Sequence, residues 1–265
     1  MSRIASIFGP GRPPAFIPYV TVGYPSVEVT LEAVALLEAQ GADLVELGIP
    51  FSDPLADGVT IQKASYEALQ AGMTPARCLE VAQALRRRVK IPLVFMTYYN
   101  PVLRYGPEAF CRDCAEVGID GLIVPDLPPE EGTELEAACR KRELDLIYLL
   151  APTSTEERLR LVAERSTGFI YLVSVTGVTG ARDTLPPELA HLVVTVKRYT
   201  RRPVCVGFGI STAEQAAEVA RLADGVIIGS RLVQILGGED WRPALTRFAR
   251  EIRAALSPTS PAGSA

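Results

Sequence analysis

The sequence predicts an α/β protein folded as a single-domain (β/α)8 TIM barrel, and three observations carry the prediction. Short β-branched or apolar runs alternate with longer segments whose apolar residues recur near i, i+3 and i+4. Eight such runs fit within 265 residues, the number and length of an eight-unit barrel. Runs such as IPLVF and DGLIV are almost wholly apolar, as expected of parallel strands covered on both faces.

In chain order, a strand at 15–22 leads into a helical pattern at 27–40, and a strand at 43–49 leads into a Pro- and Gly-marked loop and then a helix at 75–89. Strands at 92–97, 121–124, 144–150 and 169–173 are followed or separated by helices at 107–117, 133–141 and 155–165. A helix at 187–199, a strand at 203–207, a helix at 212–222 and a strand at 225–228 complete the series. Each strand precedes a turn rich in Gly, Pro, Ser, Thr or Asp, and strict alternation implies right-handed parallel crossovers. Residues 3–8 read as a short helix closing the barrel bottom; the barrel domain spans 1–256, and 257–265, SPTSPAGSA, read as a disordered tail. A doubly wound open sheet is the competing architecture, but the glycine motifs usual in its nucleotide-binding members do not follow any strand here.

Composition narrows the function. A net charge of −4 with scattered arginines gives neither a basic face for nucleic acid nor a polybasic membrane patch. The N-terminus lacks an apolar signal core and no window is long enough to span a bilayer, so the expected location is cytoplasmic. Cys78, Cys111, Cys114, Cys139 and Cys205 are odd in number and scattered, which argues for reduced thiols. Cys111 and Cys114 share a helix face, but two thiols alone do not close a zinc site, and the single histidine, His191, sits in a helical pattern; no metal site is expected. Carboxylates remain the natural agents of chemistry.

Glu46 lies in LVELGI, where either face of the strand is apolar, and burying an unpaired carboxylate costs several kcal/mol or raises its pKa until it is neutral. The bland reading of Glu46 is a charge paired with an arginine elsewhere. Asp57 follows eleven positions later in SDPLADG, where it is either a turn former or a second acid; Asp53 reads as an Asp-Pro turn residue and Asp126 as a supporting or substrate contact. In a barrel these positions fall on the catalytic, C-terminal face. Glycine turns at 174–180, 207–211 and 229–230 follow three consecutive strands, where backbone N–H groups can approach a phosphate. Lys63, Lys90, Lys141 and Lys197 all fall away from strand C-termini, which argues against imine-forming aldolase chemistry. Cleavage of a carbon–carbon bond would then proceed by carboxylate proton transfer on a substrate able to hold electrons itself. A phosphosugar isomerase on the same barrel is a weaker alternative, since the sequence offers no metal histidines and no second strand-end acid as strong as Glu46.

VELGIPFSDPLADGVTIQ closely resembles the signature of the tryptophan synthase α chain family, and the similarity extends through PYVTVGYPS, FMTYYNPV, VPDLPPEE, LLAPTSTEERL, YLVSVTGVTGAR, VGFGIST and GVIIGS. The resemblance implies cleavage of indole-3-glycerol phosphate into indole and glyceraldehyde 3-phosphate. It also implies an α2β2 assembly in which a β chain, carrying the pyridoxal phosphate, joins indole to serine; no cofactor is implied in this chain. By motif, Glu46 matches the general acid/base and Asp57 the second catalytic carboxylate. Gly180, Gly209, Gly229 and Ser230 resemble the phosphate site. Thr179 matches the loop residue that meets the aspartate on closure, Tyr171 a tyrosine near the glutamate, and Tyr19 and Tyr98 would line the indole pocket. Two positions depart from the pattern: Val59 stands where proline is usual and Tyr19 where phenylalanine is common. A stand-alone lyase, or a subunit that mainly activates a β chain, remain variants of this expectation.

Overall fold

Among the described residues of the computed structural model, nine strands, β1 (Ala15–Thr21), β2 (Val45–Gly48), β3 (Leu93–Met96), β4 (Gly121–Ile123), β5 (Asp145–Ile147), β6 (Leu149–Leu150), β7 (Ile170–Val173), β8 (Val204–Gly207) and β9 (Gly225–Ile228), form one sheet. The structure describes residues 2–173, 187–207 and 209–257. All strand pairings are parallel, in the order β5-β4-β3-β2-β1-β9-β8-β7-β6. The two ends of that order are halves of one segment. The run expected as a single strand at 144–150 is interrupted at Tyr148: its first half pairs with β4 and its second with β7. The Tyr171 N–H donates to Tyr148 O at 3.1 Å, and this segment closes the barrel.

Around it lie α1 (Val27–Ala39), α2 (Val59–Gln70), α3 (Pro75–Arg86), α4 (Tyr99–Tyr105), α5 (Pro107–Val117), α6 (Thr133–Lys141), α7 (Glu156–Arg165), α8 (Pro187–Tyr199), α9 (Ala213–Ala220), α10 (Ser230–Leu236) and α11 (Trp241–Leu256). Local chemistry sets their starts. Ser26, Thr74, Thr155 and Thr212 accept from backbone N–H groups of the first turns of α1, α3, α7 and α9. The helical segments read from periodicity do not include α2, α4 or α11, whereas α10 is the helix expected to begin at Ser230. For α11 the signal was present, since Trp241, Leu245, Phe248, Ala249, Ile252 and Leu256 form its buried stripe. For α2 it was weak: the helix buries only Ala64, Ser65 and Ala68.

The inside of the barrel follows strand parity. Ile17, Leu44, Val94, Ile123, Ile147, Phe169, Cys205 and Ile227 meet on the axis, and Ile4 and Ile7 plug the floor from the N-terminal segment, whose 3-10 turn spans Ala5–Ile7. The expected bottom closure by residues 3–8 takes this form. Three aspartates tie the N-terminal rim. Asp43, Asp120 and Asp224 accept from the backbone N–H of Phe16, Leu93 and Val204, each at 2.8 Å, and pair with Arg253, Arg3 and Arg86, and Lys197. These acids are spent on holding strands together. The acids that remain for chemistry face the other end. Cys111 and Cys114 are buried under α5, with Cys111 Sγ 3.7 Å from Cys139 Sγ, in keeping with a packing role. Among the described residues no helix is long and apolar enough to cross a membrane.

Candidate active site

Above the barrel floor the inward-facing positions change character. Tyr19, Glu46, Met96, Leu149, Tyr171, Val173, Gly207, Ile227 and Gly229 continue the inward parity of their strands, and here they line a cavity of about 590 Å³ instead of packing solid. Glycine makes the room. A side chain at Gly207 would place its Cβ 2.5 Å from the Tyr171 hydroxyl, and one at Gly48 would collide with the Tyr19 ring. Tyr19 and Tyr171 can stand inside the barrel only because their neighbours carry no Cβ.

Glu46 is paired in register with Tyr19 on one side and Val94 on the other, and it is fully buried. Among the described residues neither of its carboxylate oxygens has a hydrogen-bond partner and no arginine neutralises it. Desolvation alone raises its pKa from 4.5 to about 8, so at neutral pH it holds a proton. Such a residue is both a proton donor and, once ionised, a strong base, which suits general acid–base work near pH 7.

Asp57 reaches the same cavity from the loop after β2. The loop is braced at several points: the Asp57 N–H donates to Pro54 O at 3.0 Å, Gln62 Nε2 to Asp57 O at 2.8 Å, and the Ala56 N–H to the Tyr98 hydroxyl at 2.9 Å. Burial raises the Asp57 pKa from 3.8 to about 6, while a hydrogen bond from Tyr98 lowers it. Its carboxylate is therefore mainly ionised at pH 7, beside a Glu46 that is mainly neutral. The same cavity sets two carboxyl groups to opposite protonation states, the division of labour that an acid–base pair needs.

Gly209, Gly229 and Ser230 also line the cavity, and Gly209 adopts a positive φ of 51° with open space where a side chain would stand. Tyr19 and Tyr171 lie on its wall; Tyr98 does not, but sits behind the loop, against Phe51 with ring centroids 5.3 Å apart. Asp126 is turned to the backbone, accepting from the Tyr99 N–H at 2.8 Å, and lines a side cavity of about 240 Å³. Thr179 and Gly180 lie outside the described residues. Among the described residues no group of His, Cys, Asp and Glu side chains could hold a metal ion.

The chain that folds into this closed parallel barrel is similar to proteins of a known family. The family model described as tryptophan synthase alpha chain matches residues 11–255. The chain belongs to the tryptophan synthase alpha chain family. A tryptophan synthase alpha chain from Dehalococcoides mccartyi is 53% identical over 256 residues, covering 97% of this chain and all of that one. One from Chloroflexus aggregans is 53% identical over 240 residues, covering 89% of this chain and 90% of that one. Among solved structures, a tryptophan synthase chain from M. tuberculosis superposes with a TM-score of 0.89 at 40% identity, covering 97% and 99% of the two chains. The alpha subunit from Legionella pneumophila gives 0.89 at 34% identity, covering 97% and 98%.

Within this tryptophan synthase alpha chain fold, several cavity residues escaped sequence reasoning. Ile61 lines the cavity from the first turn of α2, a helix the pattern did not reveal. Met96 and Leu149 look like ordinary core residues in sequence, and only strand parity brings them to the site. Ser154 and Arg158 come from the loop after β6 and the first turn of α7, where a capping sequence hides any other purpose.

Proposed function

We infer that this chain is a carbon–carbon lyase that cleaves indole-3-glycerol phosphate into indole and glyceraldehyde 3-phosphate, the alpha reaction of L-tryptophan biosynthesis. Family membership supplies the reaction, and the unpartnered, proton-holding Glu46 is the observation that carries the mechanism. Protonated Glu46 delivers its proton to indole C3, giving the indolenine cation. Ionised Asp57 stabilises the positive charge at the ring N–H. The glycerol hydroxyl then loses its proton to the Glu46 carboxylate as the C–C bond breaks. The bond's electrons return to the ring, which becomes indole, and the hydroxyl carbon becomes the aldehyde. Glu46 ends protonated, ready for another cycle.

In this reading Gly209, Gly229 and Ser230, with Gly180 carried by motif, hold the phosphate through backbone N–H groups and a hydroxyl. Tyr19 and Tyr171 flank the ring, Thr179 approaches Asp57 on closure, and Tyr98 positions Asp57 through its hydroxyl.

The partner is a tryptophan synthase β chain, in an α2β2 assembly whose pyridoxal phosphate resides in the β chain; no step above needs it. Supporting a docking face, Leu55, Val59, Tyr66 and Leu103 are large apolar side chains 93, 78, 63 and 52% exposed, and all belong to segments following β2 and β3 on the catalytic end. The free, buried thiols suit the proposed cytoplasmic setting. The test is indole release from indole-3-glycerol phosphate by purified protein, with and without a β chain. Release only with the β chain, or much faster with it, supports the coupled reading; equal release identifies a stand-alone lyase; none under either condition refutes the function. Asp57→Asn should cut the rate heavily without unfolding the barrel, and wild-type turnover would remove Asp57 from the mechanism.

A further inference from the structure

The cavity presents an electrostatic difficulty to the substrate proposed above. Its phosphate is a dianion at neutral pH, while the acidic groups among the described lining residues are Glu46 and the ionised Asp57. Among the described lining residues, Arg158 is the one basic side chain. Its backbone is fixed, because its N–H donates to the Thr155 hydroxyl at the start of α7. Arg158, Pro125 and Leu149 line both the 590 Å³ cavity and the 240 Å³ side cavity. The Arg158 guanidinium pairs with Glu130 at 3.1 Å, and the two side chains are 36 and 51% exposed. A pair this open is weak and readily exchanged. A guanidinium can also offer a phosphate two parallel N–H donors.

We propose that Arg158 recruits the substrate phosphate, releasing Glu130 and pairing with the dianion as it crosses the cavity mouth. Glu130 is then a competitor that occupies the guanidinium between turnovers. Gly209, Gly229 and Ser230 receive the phosphate deeper in the cavity, and Arg158 governs how fast and how tightly it arrives. This inference rests on the phosphate substrate proposed above, and it concerns binding, not the bond-breaking step.

The prediction has opposite signs for the two partners. Arg158→Gln should raise KM and lower kcat/KM about tenfold, equivalent to about 1.36 kcal/mol, with kcat falling much less. It should also flatten the decline of kcat/KM with added salt, because the steering charge is gone. Arg158→Lys should restore part of the loss, keeping charge but not the fork. Glu130→Gln should lower KM by roughly threefold, the reverse of what loss of a structural ion pair would do. Calorimetric titration with glycerol 3-phosphate provides a readout independent of cleavage, with weaker binding in Arg158→Gln and tighter binding in Glu130→Gln. If wild type binds this probe in that pattern but does not cleave indole-3-glycerol phosphate, the proposed function fails and the role of Arg158 stands. If cleavage occurs but Arg158→Gln leaves probe affinity and salt dependence unchanged, or both variants weaken binding, the role of Arg158 is overturned.

Discussion

Glu46→Gln should make the protein inactive and more stable, and the structure gives the size of the gain. Glu46 is fully buried with no hydrogen-bond partner among the described residues, and its pKa is raised from an ordinary 4.5 to about 8. The unfolded chain ionises at the ordinary value, so folding at pH 7 requires Glu46 to take up a proton. The intervening ~2.5 pH units, at about 1.36 kcal/mol each, make that uptake cost about 3 kcal/mol. The sign follows from a folded pKa above the unfolded one: the carboxyl contributes its full stability below about pH 4.5 and loses it as pH rises through about 8. Gln is neutral in both states and avoids the cost, while its amide is as poorly partnered as the protonated carboxyl. The variant should match wild type near pH 4 and exceed it at pH 7 by about 3 kcal/mol, a rise of roughly 6 °C in Tm for a domain of this size. The gap should widen to about 5 kcal/mol above pH 8. Thermal unfolding from pH 4 to 9, together with indole release, checks both halves. Equal stability at pH 7 would mean that Glu46 has a counter-charge after all, and retained cleavage would mean that it is not the acid.

The pH dependence of kcat/KM should be a bell with limbs near the Asp57 and Glu46 values of about 6 and about 8, falling on the acid side as Asp57 is protonated and on the alkaline side as Glu46 ionises; a flat profile from pH 5 to 9 would refute the division of roles. Tyr98→Phe removes the hydroxyl that binds Asp57 and the Ala56 N–H, so the acid limb should move to higher pH and stability should fall by about 1 kcal/mol, read from rate profiles and urea unfolding. Val59→Pro puts proline, the residue the family resemblance leads one to expect, at the first position of α2, which follows the Gly58 cap and needs no helical hydrogen bond. It should raise stability by roughly 0.4–1 kcal/mol in the same unfolding assay; a loss of that size would show that the loop needs an N–H or a different φ at residue 59.

Parity and period made much of the architecture legible. An apolar run such as IPLVF, alternating with helical patterns and followed by a turn, reads as a covered parallel strand, and helical periodicity places α1, α3, α7 and α9. Glu46 stood out because no apolar strand carries a carboxylate without consequence. The split at Tyr148 was not legible, because the switch of partners from β4 to β7 depends on barrel closure and leaves no composition mark. Nor could local sequence show that Arg158 lines two cavities.

The sequence by itself determined the alternation of strand and helix, the family, and the residue types available for chemistry, since these depend on periodicity and on side-chain identity. Only the tertiary structure decided that Glu46 has no hydrogen-bond partner among the described residues, that Asp57 shares its cavity, and that Gly48 and Gly207 clear space for two tyrosine rings. Those facts are relations between residues distant in sequence, and a pKa is set by what surrounds a group in space.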